Sequence, residues 1–148
     1  MPVDKKKHLF VQMFGKFMVY KDGKPIPLSG KTKEILALIM TERGNEISNN
    51  KIFDIIWDHM PPIDPEISFF NNSVLKMKRI LRDNKISDIL ISTSDGHMVN
   101  TSLFECDYYS WLDRKKDSPD RFNREFLLEY PWREKILNNT FSAQDKNS

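Results

Sequence analysis

Four basic side chains lie close together in one stretch of this sequence, residues 65–84. They are Lys76, Lys78, Arg79 and Arg82. No acidic residue occurs between positions 71 and 82, and the whole chain carries a net charge of only +2, so this positive charge is local. Ammonium and guanidinium groups suit the phosphates and base edges of nucleic acids. The simpler interpretation of the same residues is an ordinary solvated helix surface.

The spacing of the apolar residues places these cations on one side of a helix. The apolar stripe is formed by Phe70, Val74, Met77 and Leu81, with Ile67 on its margin. The opposite face carries Ser68, Asn72, Lys76, Arg79 and Arg82. We therefore predict that one face of this helix packs into a core while the other is free to bind.

The start of this helix is marked by three consecutive residues. Asp64 suits the N-cap, and Pro65 suits the first helical position because its missing N–H is not needed there. Glu66 then lies in the first turn, where the helix dipole favours a negative charge. The pattern predicts a helix over residues 65–84.

Other residues with reactive side chains lack the arrangement that catalysis or metal binding requires. Ser94, Asp95 and His97 are neighbours on one predicted turn, whereas the members of a nucleophilic triad converge from separate parts of the fold. The three histidines and one cysteine have no metal-ligand spacing, and the five glycines form no phosphate-binding loop. We therefore expect no enzymatic activity, no metal and no cofactor.

The sole cysteine, Cys106, cannot form an internal disulfide. We expect it to be a small buried apolar side chain, because a redox sensor would need an exposed thiolate. No apolar run reaches membrane-spanning length or resembles a signal peptide. A reducing cytoplasm is therefore the expected compartment.

The length and composition predict one globular domain with an appendage. A chain of 148 residues, of which 30% are charged and 39% hydrophobic, buries roughly two thirds of its unfolded surface. Residues 1–7 have the composition of a linker or disordered start, and residues 142–148 should form a disordered tail. Between them we expect a domain over residues 8–106 and a helical extension over 107–141. The aromatic residues of the extension either dock it on the domain or form a groove for a partner.

Short strands and two packing helices precede the basic helix. Alternating apolar residues over 8–20 predict two strands, and Asp22-Gly23 favours a tight turn into a third strand at 25–28. A first helix should end near Gly44, and a second before Pro61. The candidate caps are Ser29 or Thr32 for the first helix and Ser48 or Asn49 for the second.

A hairpin follows the basic helix. Strand-like runs at residues 89–93 and 97–100 flank Ser94-Asp95-Gly96, in which Asp-Gly favours a tight turn. A hairpin in this position, residues 89–100, is here called the wing.

Several segments resemble the sequence motifs of a known family. They are LFVQMFGKFMVYKDGKPIPLSGKTKEILALIM at the start, IFDIIWDHMPP in the second helix, VLKMKRIL in the third, and FECDYYSWL with Tyr130-Pro131-Trp132 near the end. In this order they resemble the winged-helix output domain of OmpR/PhoB-type response regulators, in its bacterial transcriptional activator branch. The resemblance covers residues 8–113. It implies an α+β winged helix, with a small N-terminal antiparallel sheet, three helices, a wing and a C-terminal helical extension.

In the family, the third helix enters the major groove of DNA and the wing lies along the adjacent minor groove. The positions that match the family's reading helix are Ser73, Leu75, Lys76 and Lys78. The helical wheel adds Asn72, Arg79 and Arg82. Two positions differ from the family pattern. Asp95 stands in the wing where the family often has an arginine, and Leu75 stands on the polar face where a basic or polar residue is common.

We therefore expect a sequence-specific module that binds double-stranded DNA, part of a bacterial transcriptional regulator of a two-component system. The alternative is a protein-interaction module of the same fold, in which Leu75 and the C-terminal helices recruit RNA polymerase or a receiver domain. No segment resembles a receiver domain, so the chain is either a stand-alone output domain or a fragment that begins at its linker. Whether two copies bind DNA together stays open.

Overall fold

The computed structural model describes residues 8–58, 60–114 and 126–136 of a mixed α+β fold. The predicted linker 1–7, the predicted tail 142–148 and the remaining parts of the predicted extension lie outside the described residues. The elements in chain order are β1 (Leu9–Gln12), β2 (Met18–Lys21), β3 (Lys24–Pro25), α1 (Gly30–Thr41), β4 (Ile47–Ser48), α2 (Asn49–Ile56), α3 (Asp64–Asp83), β5 (Leu90–Ser92), β6 (Gly96–Val99), β7 (Glu105–Cys106) and α4 (Asp107–Arg114).

A four-stranded sheet is built mainly from the N-terminal strands, in the order β3-β2-β1-β7. Asp22 and Gly23 join β2 to β3 with φ angles of 52° and 81°. Two successive positive φ angles are what a type I′ turn requires, so the predicted Asp-Gly turn is confirmed. β3 is shorter than the predicted strand at 25–28, consistent with Pro27 having no N–H to donate. β7 pairs parallel with β1, which the sequence patterns did not predict.

α1 is the central helix of the core. Residues 35–40 are fully buried, so other elements surround the middle of this helix on all sides. Of the predicted alternatives, Ser29 and Ser48 hold the N-cap positions of α1 and α2. The Ser48 side chain accepts a hydrogen bond from the Lys51 N–H at 3.1 Å, which satisfies one of the free donors at the start of α2.

α3 has the two faces that its sequence predicts. Its buried residues include the whole predicted stripe, Phe70, Val74, Met77 and Leu81. The helix begins one residue earlier than predicted, because Asp64 is its first residue and Ile63 holds the N-cap position.

Aromatic packing joins α3 to α2. The ring of Phe70 on α3 meets the rings of Phe53 and Trp57 edge-on, at centroid distances of 6.0 and 5.9 Å. Phe53 and Trp57 are themselves stacked at 5.1 Å. Such aromatic contacts add to the free energy of apolar burial, so α2 is a rigid support for the buried face of α3.

The wing belongs to a second sheet, with the strand order β4-β6-β5. β5 and β6 form the hairpin, and β4 pairs antiparallel with β6 so that Ile47 is opposite His97 and Ser48 is opposite Gly96. The sequence predicted only a short apolar link at Ile47. In the structure this link attaches the wing directly to the start of α2.

The described part of the C-terminal extension packs on the N-terminal sheet and on α1. Phe126 bridges to Phe14, and the Leu127 N–H donates to the Met13 carbonyl at 2.8 Å. The Trp132 indole N–H donates to the buried Glu34 carboxylate at 2.7 Å. These aromatic side chains are therefore part of the same core. Among the described residues, no helix combines the length and apolar character needed to cross a membrane.

Candidate nucleic-acid interface

The outer face of α3 is polar, basic and open to solvent. Its exposed side chains are Asn72, Leu75, Lys76, Arg79 and Arg82, with Lys78 half-buried beside them. Within the described residues, none of the four cations forms an ion pair or a side-chain hydrogen bond. The described part of the chain therefore does not neutralise their charge, which leaves it available to an anionic ligand.

Ser73 is the exception among the predicted contact residues. Its side chain is only 5% exposed, and its carbonyl oxygen accepts a hydrogen bond from the Thr32 hydroxyl of α1 at 3.4 Å. At 100° per residue, Ser73 falls beside the apolar stripe on the flank that packs against α1. Its prediction as a DNA contact is therefore wrong, since a ligand on the outer face does not reach it.

Leu75 is exposed on the face that carries the cations. Its side chain is 64% exposed, the highest value among the exposed large hydrophobic residues. Leu75 lies outside the core, so its side chain contributes no apolar burial to the stability of the fold. An apolar side chain in this position can contact the methyl group of a thymine or the apolar surface of a protein.

The turn of the wing is attached to the first residue of α2. The Asp95 carbonyl accepts a hydrogen bond from the Asn49 N–H at 2.8 Å, while the Asp95 side chain is exposed. The wing turn thus supplies a backbone acceptor to one of the free N–H groups at the start of a helix. The exposed carboxylate lies at the same tip, so the wing presents negative charge at its turn.

Gly96 is required by close packing rather than by the shape of the turn. It is absent from the glycines with positive φ among the described residues. A Cβ atom at this position would overlap the Ile47 carbonyl oxygen and would lie 2.8 Å from the Ser48 Cα. The Asp-Gly pattern therefore predicted the hairpin correctly, but the usual reason for it, a glycine with positive φ in the turn, does not apply at Gly96.

His97 is buried beneath the wing although it belongs to a strand of the hairpin. Its side chain is 4% exposed, and its Nδ1 lies 2.9 Å from the Asn49 Oδ1. Burial and, to a smaller extent, the positive charge of Lys78 on α3 together lower the pKa of His97 to about 4. The ring is therefore neutral at physiological pH, and it is bonded to Asn49 rather than forming a triad with Ser94 and Asp95.

Folding stability should decrease on acidification because His97 is neutral in the folded state. The ordinary pKa of the group is 6.5, so the unfolded chain takes up a proton first as the pH falls. The contribution of neutral His97 to the free energy of unfolding is complete above about pH 6.5 and is lost progressively toward about pH 4. The full loss is at most about 3 kcal/mol.

Urea denaturation of the wild type and of His97→Gln checks this prediction. Measured at about pH 7 and about pH 5, the free energy of unfolding should fall more steeply for the wild type, since glutamine does not titrate. Parallel pH dependence of the two proteins would contradict the prediction.

Cys106 is buried, as its sequence context predicted. Burial raises the pKa of its thiol to about 12, so the reactive thiolate does not form at neutral pH. Among the described residues, no group of three or more His, Cys, Asp or Glu side chains is placed to hold a metal ion.

A groove is a second candidate binding surface on this fold. It has a volume of about 920 Å³ and lies between the start of α1, the end of α2 and the C-terminal segment. Phe69, Tyr130 and Trp132 contribute apolar surface, and the last two rings are stacked at 5.1 Å. The ion pair between Lys33 and Glu129, at 2.8 Å, lies in its lining. The sequence indicated aromatic residues in the extension but not the groove, since its walls come from α1, α2, α3 and the C-terminal segment, which are separate in the sequence.

Comparison with solved structures shows a likeness of fold. No protein-family model and no curated protein matches this sequence. Among solved structures, the chain is similar to Mycobacterium tuberculosis EmbR in complex with a low-affinity phosphopeptide, with a TM-score of 0.64 and 16% identity. The match covers 93% of this chain and 42% of the EmbR chain, so this chain spans less than half the length of that protein. At this level of identity, the likeness concerns the mixed α+β fold.

Proposed function

We propose that this chain is a DNA-binding module of a transcriptional regulator, with a winged-helix fold and no enzymatic activity of its own. The observation that carries the proposal is the outer face of α3, where four cations with no ion pair among the described residues lie on a helix whose other face is held in the core. The structural similarity to EmbR is consistent with a regulatory role. In this proposal α3 enters the major groove and the wing lies beside it.

The exposed residues of α3 divide into two chemical roles. Lys78, Arg79 and Arg82 bind phosphates and fix the position of the helix on the duplex. Asn72 and Lys76, on the opposite side from the core, have the donors and acceptors to read base edges. Leu75 packs against a thymine methyl group. This assignment gives the helix both affinity and a means of distinguishing sequences.

The second candidate is a protein-interaction module with the same fold. The exposure of Leu75 favours it, as do the carboxylate of Asp95 at the wing turn and the aromatic groove beside Trp132. In that case the partner is a protein such as RNA polymerase or a receiver domain. DNA binding would then be weak and would not depend on the cations of α3.

Titration of the chain with a mixed pool of duplexes at several salt concentrations separates the two candidates. If roughly four phosphates are neutralised, the logarithm of affinity should fall against the logarithm of salt concentration with a slope of about −3 to −4. Arg79→Ala should make this slope less steep by about one unit. Lys24→Ala, an exposed lysine on the other sheet, is the matched control and should leave it unchanged. A flat salt response, or no binding to any duplex, would support the interaction module instead.

Replacing Asp95 with arginine should tighten DNA binding. The substitution exchanges a repulsive charge at the wing turn for an attractive one, so affinity should rise for all duplexes alike and the salt slope should steepen by about one unit. Asp88→Arg makes the same change of charge at an exposed residue just before the wing, and it should give a smaller gain. Equal gains would indicate a general charge effect, and no gain from Asp95→Arg would mean that the wing does not approach DNA.

A further inference from the structure

We propose that His97 and Asn49 set the position of the wing relative to α3, and that this buried contact strengthens DNA binding although His97 cannot reach DNA. The inference rests on the proposed function, and it assigns a positioning role to two residues outside the basic face. It concerns how the two DNA-binding elements are held together rather than which atoms touch the duplex.

Asn49 is held by the wing at two points. Its backbone N–H donates to the Asp95 carbonyl at 2.8 Å, and its side-chain Oδ1 lies 2.9 Å from the His97 Nδ1. The pairing between β4 and β6 brings the two strands together just before this residue. There the backbone of Ile47 and Ser48 leaves no room for a side chain at Gly96. Two hydrogen bonds beside a tight backbone contact leave the wing turn little freedom to rotate about α2.

A short series of contacts extends this attachment to α3. Phe53 lies one helical turn beyond Asn49 in α2, and its ring packs edge-on against Phe70 of α3 at 6.0 Å. The charge of Lys78 on α3 acts on the His97 ring and lowers its pKa, in addition to the effect of burial. The wing, α2 and α3 are therefore connected by packing, and Asn49 adds two hydrogen bonds to the attachment that the β4–β6 pairing makes.

The hydrogen bond also determines which nitrogen of His97 carries the proton. With the Asn49 Oδ1 facing the ring, Nδ1 donates to it, and a neutral ring then has no proton on Nε2. Nε2 is buried without a hydrogen-bond partner among the described residues. We therefore expect the less usual Nδ1–H tautomer of His97. Nitrogen NMR of the protein in the absence of DNA measures it independently of DNA binding.

A double-mutant cycle on DNA binding tests the positioning role. Asn49→Ala removes the acceptor but keeps the Ser48 cap of α2, and it should weaken binding about three- to tenfold. The affinity gained by Asp95→Arg should be largely lost in the Asn49→Ala background, because a displaced wing no longer holds that arginine near a phosphate. Asn49→Asp restores an acceptor and should restore the gain. Asn50→Ala, at the exposed neighbouring position, is the matched control and should leave the gain intact.

Each outcome of these experiments has a distinct meaning. All variants are compared at a temperature where thermal unfolding shows each to be folded. If the gain from Asp95→Arg is the same with and without Asn49→Ala, the positioning role is overturned while the proposed function stands. If the wild-type chain binds no duplex, the proposed function fails, and the inference fails with it.

Discussion

Met77→Ala is expected to lower the free energy of unfolding by about 2–5 kcal/mol. Met77 is completely buried on the core face of α3, so truncation removes apolar contacts and leaves a cavity between α3 and the helices that support it. Chemical denaturation measures the change. The slope of the free energy against denaturant concentration should stay the same if the variant unfolds as the wild type does.

Lys76→Ala is the matched control, one residue earlier on the opposite face. Lys76 is exposed and has no ion pair within the described residues, so stability should change by less than about 0.5 kcal/mol. DNA binding should nevertheless weaken. The ranking of a duplex panel should change if Lys76 reaches a base edge, whereas all affinities should fall alike if it reaches a phosphate. Equal losses of stability for the two substitutions would contradict the orientation of α3.

Gly96→Ala is expected to destabilise the fold by about 3 kcal/mol, the upper end of what overpacking usually costs. The added methyl group would overlap the Ile47 carbonyl oxygen and approach the Ser48 Cα to 2.8 Å. Both are backbone atoms of the paired strand, so neither can move aside by rotating a side chain. Either β4 separates from β6 or the wing shifts, and the contact between the wing and α2 weakens in both cases.

Gly30→Ala isolates the part of this effect that is due to packing. Gly30 has a φ of +60°, and no heavy atom lies within 4 Å of a Cβ built there. Its replacement should cost only the strain of a left-handed backbone, about 1 kcal/mol. Denaturation of the two variants under one set of conditions compares them. If Gly96→Ala lowers the free energy of unfolding no more than Gly30→Ala does, β4 and β6 do not pack closely enough at Gly96 to exclude a methyl group.

Features that depend on neighbours in the sequence were predictable. The stripe of α3 follows from helical periodicity, because residues three and four apart share one face whatever the helix packs against. The turn at Asp22-Gly23 follows from the positive φ angles that these residues adopt at little cost. The exposed cations of α3 follow from the same periodicity. Their role in DNA binding stays a prediction.

Ser73 shows where periodicity alone is insufficient. A helical wheel separates a core face from an outer face, but it does not say how far a neighbouring helix covers the boundary between them. The packing of α1 against α3 buries Ser73 at that boundary, where it was predicted to be a contact residue. The width of the buried face is thus a property of the helix pair.

The sequence by itself determined the order of the first three helices and the wing hairpin, the two faces of α3 and the concentration of positive charge on one of them. Only the tertiary structure decided that Ile47 joins the wing sheet, that β7 pairs with β1, and that His97 is bonded to Asn49, 48 residues away. Strand pairing and buried hydrogen bonds join residues that are distant in the chain, and no local pattern specifies the partner. Their partners are set when the whole core packs, because burial makes an unpaired polar group costly and so selects the arrangement that satisfies most of them.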